Sequence, residues 1–147
     1  MSEPTIPADR PAASTIATTI ATTIAPSLVV GDGPRASEFY RAAFGAVELY
    51  RVPDGGVAQL AIGGASFWLS EEYAEQRRFT PDRLDGRSVW MILTVDDPDA
   101  LWARAVAAGA NPDSPVGDSH GWRLGTVTDP FGHRWEIGRP LGPWPPG

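Results

Sequence analysis

Arg134 and Glu136 stand two residues apart near the C-terminus, and His120 lies in the loop Gly117-Asp118-Ser119-His120-Gly121 ahead of Trp122. Residues at i and i+2 of a strand share a face. Arg134 and Glu136 therefore either pair as ions or each hold a polar group of a ligand. Taken out of water, Glu136 would gain the raised pKa that a general base needs. His120 at a cavity mouth would supply acid–base chemistry or a ligand contact, whereas on open surface it is a bystander. His133 follows the turn Asp129-Pro130-Phe131-Gly132 and alternates to the other face, where a structural part is expected. Trp68 and Trp90 offer flat surfaces for stacking, or they simply fill space as core aromatics do. Trp122 and Phe131 either extend those walls or pack within loops and core. No Ser-His-Asp arrangement, phosphate loop or dinucleotide fingerprint is present. The absence of cysteine excludes disulfides, thiolate metal sites and a cysteine nucleophile.

The elements that must position these residues come in two copies. Asp32-Gly33-Pro34 opens a helical stretch closed by Gly45-Ala46. Asp96-Asp97-Pro98 opens another closed by Gly109-Ala110, each landmark 64 residues after its counterpart. An Asp or Gly cap, proline in the first turn and glycine just past the end delimit both helices. Ala36, Phe39, Tyr40, Ala43 and Phe44 form an apolar stripe in the first; Leu101, Ala105 and Ala108, flanked by Trp102 and Val106, do so in the second. Strands Pro26–Val30 and Ser88–Val95 precede the helices. Val47–Arg51, Val57–Ile62 and Ser66–Ser70 follow the first, and Asn111–Val116, Trp122–Thr128 and His133–Gly138 follow the second. The pattern is βαβββ twice, an α+β class. Module one spans 25–70, a charged linker 71–87 and module two 88–139, with a Pro-rich tail at 140–147.

Alternation sorts the strand residues into two faces. Leu28, Val30, Phe67, Leu69, Val89, Met91, Leu93, Val95, Trp135 and Ile137 are all apolar and suit the side a helix covers. The opposite face carries Ala25, Ser27, Val29, Ser66, Trp68, Ser70, Ser88, Trp90, Ile92, Thr94, Arg134, Glu136 and Gly138. That mixture fits either the wall of a ligand cavity or a partly wet surface.

A length of 147 residues and a hydrophobic fraction of 42% fit one domain with its own core. The net charge of −6 argues against nucleic acid and anionic membranes as partners. No apolar window spans a bilayer and the first residues carry no secretion signal, so the cytoplasm is expected. Residues 1–24 read as a flexible low-complexity leader. Its run from Thr15 to Ala25 is β-prone and would extend the first strand, pair with a partner chain or stay mobile. Glu71, Glu72, Glu75, Arg77 and Arg78 read as a solvated linker.

The duplicated pattern resembles the vicinal-oxygen-chelate proteins, and within them the PhnB-like and glyoxalase/bleomycin-resistance branch. The phrase Leu28-Val29-Val30-Gly31-Asp32 ahead of Glu38-Phe39-Tyr40, and Asp129-Pro130-Phe131-Gly132-His133 ahead of the last strand, carry the likeness, which covers roughly 25–139. The resemblance implies paired βαβββ modules forming a curved mixed sheet around a cleft, in a homodimer. It also implies metal-dependent isomerases, epimerases, dioxygenases and thiol transferases, or metal-free drug-sequestering proteins. The metal positions of such proteins fall here on Ala25, Trp68, Trp90 and Glu136. Only Glu136 is a ligand type, and a divalent ion needs several converging donors.

The expectation is therefore a protein without metal or other cofactor that binds an aromatic or planar small molecule. Trp68 and Trp90 would face each other across the trough, with Ser27, Ile92, Trp122, Arg134 and Glu136 around them. The competing reading is an enzyme, a lyase, isomerase or oxygenase, using Glu136 as base or metal ligand with His120. A third is a scaffold that uses its surface for protein contacts.

Overall fold

The computed structural model describes residues 19–147; residues 1–18, with the start of the Thr/Ile run, lie outside it. Residues 19–26 carry no regular structure, so the described part of that run does not extend the first strand. The order is β1 (Ser27–Val30), α1 (Gly33–Phe44), β2 (Val47–Arg51), β3 (Val57–Ile62), β4 (Ala65–Glu71), a 3-10 turn (Ala74–Gln76), α2 (Pro81–Leu84), β5 (Met91–Thr94), α3 (Pro98–Ala108), β6 (Asn111–Ser119), β7 (Trp122–Thr128) and β8 (Arg134–Pro140).

The helix ends follow from their caps. Asp32 accepts from the Arg35 amide at the start of α1, and Gly45 ends that helix at φ 71°, where a side chain would be strained. In the second copy Asp97, not Asp96, caps α3 by accepting from the Ala100 amide, and Gly109 ends it. The repeat thus slips by one residue at the second N-cap, and α3 is 11 residues against 12 in α1. β5 is shorter than its apolar run suggested, because Ser88, Val89 and Trp90 precede the strand.

The strands form two four-stranded mixed sheets, ordered β1-β4-β3-β2 and β5-β8-β7-β6, instead of one continuous curved sheet within the chain. In each, the first strand runs parallel to the last: Ser27 pairs with Trp68 and Ile92 with Glu136. The faces predicted to be covered are covered. Leu28, Val30, Phe67, Leu69, Trp135 and Ile137 are buried in one core, with Met91, Leu93 and Val95 packed against it. Val89 is the exception, exposed ahead of β5. Phe67 and Trp135, one from each sheet, lie 5.8 Å apart between ring centroids. The helix-side faces of both sheets therefore meet in a shared core, and the open faces point away from it.

One buried carboxylate joins the modules. Asp129 accepts from the Tyr40 hydroxyl of α1, from Trp135 Nε1 at 2.9 Å, and from the amides of Phe131 and His133 at 2.9 and 3.0 Å. Gly132, at φ 94°, closes this turn where an added Cβ would lie 3.0 Å from Asp82. Burial, and then the neighbouring Asp129 charge, push the Tyr40 hydroxyl well above the usual tyrosine range, so it stays a donor. The His133 ring sits 2.7 Å from the Val29 carbonyl through Nε2, a structural part as expected.

Candidate functional site

The open face of the first sheet forms the floor of a cavity of about 580 Å³. Trp68 lies on that floor on β4. Ser27 is beside it across the parallel ladder, and Ser70 is two residues further along its own strand. The turn after β2 makes one wall through Val52, Asp54, Gly56 and Val57. Arg51 fixes this wall: its guanidinium donates to the Gly55 carbonyl at 2.9 Å and to Ser37 Oγ on α1 at 2.6 Å, and pairs with Glu48. Gly33 lets the wall approach α1, since a Cβ there would meet the Gly55 carbonyl oxygen at 2.8 Å.

A strap made from the linker forms another wall. Tyr73 and Arg78 exchange backbone hydrogen bonds of 3.0 and 3.1 Å around the turn Ala74–Gln76, and Arg77 takes a left-handed φ of 56° to close it. Arg78 then reaches the sheet, its Nη2 donating to both Ser27 Oγ and Ser70 Oγ at 3.0 Å. The strap is anchored behind by Glu72, which accepts from Arg83 Nε at 2.8 Å and from the Thr80 amide at 3.1 Å. Those donors, Arg83 first, hold the Glu72 carboxyl down at about 2. The segment read as a solvated linker thus lines the cavity. No sequence signal short of the Arg77-Arg78 pair pointed to it, because charge runs ordinarily mark open surface.

Of the residues singled out from the sequence, Trp68 and Ser27 line this cavity. Trp90 does not, so the two indoles do not face each other across a trough within one chain. It stands 48% exposed on the second module, with the Arg134 guanidinium 4.8 Å above its ring. The reason is the shared core: with the helix sides turned inward, the open faces diverge. Arg134 turns to Asp113 at 3.5 Å instead of Glu136. Glu136 has no ion pair among the described residues and sits on β8 between Ile92 and Thr126. Ile92 is 67% exposed. His120 is at the tip of the β6–β7 hairpin at φ 55°, its Nδ1 2.6 Å from Ser119 Oγ, and does not line the cavity. Trp122 packs edge-on against Trp144 of the tail at 5.2 Å. Phe131 is buried beside Phe39 and Tyr40.

A divalent metal does not fit the residues present. Ala25, Trp68, Trp90 and Glu136 supply one carboxylate, and Trp90 is covered by a cation. No cluster of three or more His, Cys, Asp or Glu side chains occurs among the described residues. No helix there is long and apolar enough to cross a membrane.

The model of the glyoxalase/bleomycin resistance protein/dioxygenase superfamily matches residues 19–137, and the chain belongs to that superfamily. Its relatives include the protein Rv0887c of Mycobacterium tuberculosis, 43% identical over 124 residues that cover 79% of this chain and 73% of that one. Among solved structures, the Arabidopsis thaliana At5g48480 gene product superposes with a TM-score of 0.63 at 28% identity, covering 82% of this chain and 100% of the other. TioX from Micromonospora sp. ML1 does so with a TM-score of 0.63 at 27% identity and the same coverage.

Proposed function

We propose that this protein is a metal-free binding protein that sequesters a flat, aromatic small molecule, a metabolite or drug, on the open face of its first module. The observation that carries this reading is Trp68, an indole on the floor of an open cavity of about 580 Å³. That volume falls within the range of small-molecule sites, and an indole floor with a few fixed polar groups is what such sites use. A stacked ring gains about 0.5–1.5 kcal/mol beyond its burial.

The working unit is proposed to be a homodimer. A trough with two walls needs a second open face, and the chain's own second module turns its Trp90 and Ile92 elsewhere, leaving both exposed.

Titration with a panel of planar aromatic compounds, followed by tryptophan fluorescence, is expected to give saturable quenching that Trp68→Ala removes. The purified protein is expected to carry no stoichiometric divalent ion in elemental analysis. Unchanged binding by Trp68→Ala, or a tightly held ion at one per chain, would overturn the reading.

A further inference from the structure

We propose that the ligand of this cavity is an anion, a planar ring bearing a carboxylate, and that Arg78 recognises the charge. The inference rests on the cavity being a small-molecule site, as argued above.

Guanidinium has five N–H donors in a planar fork that matches a carboxylate in bidentate fashion. Arg78 commits only Nη2, to Ser27 and Ser70. Among the described residues it forms no ion pair, whereas Arg41, Arg51, Arg83, Arg123 and Arg134 each have a carboxylate partner. The two serines hold the guanidinium in place without neutralising it.

Each lining carboxylate accepts a hydrogen bond of its own. Glu71 accepts from the Gly33 amide at the N-terminus of α1 at 2.9 Å, where the helix dipole offsets its charge. Glu72 is held by Arg83. Asp54 accepts from the Gly56 amide at 2.8 Å. Arg78 is therefore the cation among the residues that line the cavity, beside the amide-bonded carboxylates of Glu71 and Asp54. Its mounting is costly in backbone terms, since the neighbouring Arg77 sits in the left-handed region, and such strain persists where the surrounding structure enforces it.

The placement also fixes how a ligand lies. Ser27 and Ser70 flank Trp68, the first across the ladder and the second two residues along the strand, at spacings of roughly 5–7 Å. A carboxylate on the free edge of Arg78 thus brings an attached ring over the indole. Arg78 sets the charge and Trp68 the shape.

The test uses three probes of one shape and different charge: naphthoate, naphthamide and naphthylmethylammonium, titrated into the full chain by calorimetry. Naphthoate is expected to bind at least about tenfold more tightly than the neutral amide, and the ammonium most weakly. Arg78→Gln should weaken naphthoate by about ten- to a hundredfold, the range of a charged hydrogen-bonded contact, and weaken naphthamide by clearly less, so that the preference between the two narrows. Arg78→Lys should retain part of the preference, and added salt should erode it in the wild type. Equal binding of naphthoate and naphthamide, or a preference for the ammonium, would overturn the anion assignment while leaving the cavity as a binding site. Failure of all three probes to bind would overturn the site itself and this inference with it. The probe comparison needs no variant, so it stands even if Arg78→Gln fails to fold.

Discussion

Asp129 sits 4% exposed in the interior with four protein donors around one carboxylate. A buried charge is tolerated only when hydrogen-bonded this fully, and removing either side leaves expensive orphans. Tyr40→Phe deletes one charged hydrogen bond and should lower unfolding free energy by about 1.5–3 kcal/mol. Asp129→Ala strands a phenol, an indole N–H and two amides, and should cost about 3–5 kcal/mol, as loss of one partner from a buried charged network does. Urea denaturation measures both; a Tyr40→Phe loss no larger than that of an exposed substitution would show that the hydroxyl bond contributes little. The turn around Asp129 was legible from its sequence, as was the structural part of His133. The partner of Asp129 was not, because Tyr40 precedes it by 89 residues and no local pattern encodes that contact. The same limit hid Arg78: its serine partners are adjacent only once β1 has paired with β4.

The helices and most strands were legible because their signals are local. Asp32, Pro34 and Gly45 define α1 from the sequence alone, and every residue of its predicted stripe is buried. The slip from Asp96 to Asp97 has a local reason, since Asp97 as cap places Pro98 at the first helical position, whereas in the first copy a glycine stands between Asp32 and Pro34. The strap beside the cavity is not legible in the sequence because its order comes from outside it, from the Glu72 contacts to Arg83 and Thr80. That anchor has a pH signature. Glu72 has its ordinary value of 4.5 when unfolded and about 2 when folded, so its contribution is fully present above 4.5. It fades as pH falls from 4.5 through 2 and is gone below. Thermal melts should therefore show Glu72→Gln modestly less stable than wild type at neutral pH, with the two converging toward pH 2 and differing less in high salt. A difference that stays constant over that window would mean the glutamate's charge does not hold the strap.

Across the whole molecule, the two modules share a core by turning their helix sides inward, which leaves the open faces pointing apart. The duplication was visible in the sequence, but how the copies face each other was not, since strand alternation assigns a residue to a face without orienting one sheet against another. β1 and β5 are free sheet edges, and β5 carries Ile92 outward at 67% exposure. Unpaired edges and exposed apolar side chains attract partners unless something covers them. If a second copy covers this face, as proposed, sedimentation should give twice the chain mass at micromolar concentration. Ile92→Asp, placing a charge at a contact that excludes water, should shift that equilibrium to monomer without lowering the thermal stability of the isolated fold, because Ile92 contributes little to the core. Ligand binding should weaken in parallel, since the open cavity of one chain buries less of a flat ring than the same cavity faced by a second copy. A wild type that sediments as monomer with full ligand affinity would show that the Trp68 floor and the linker strap suffice alone.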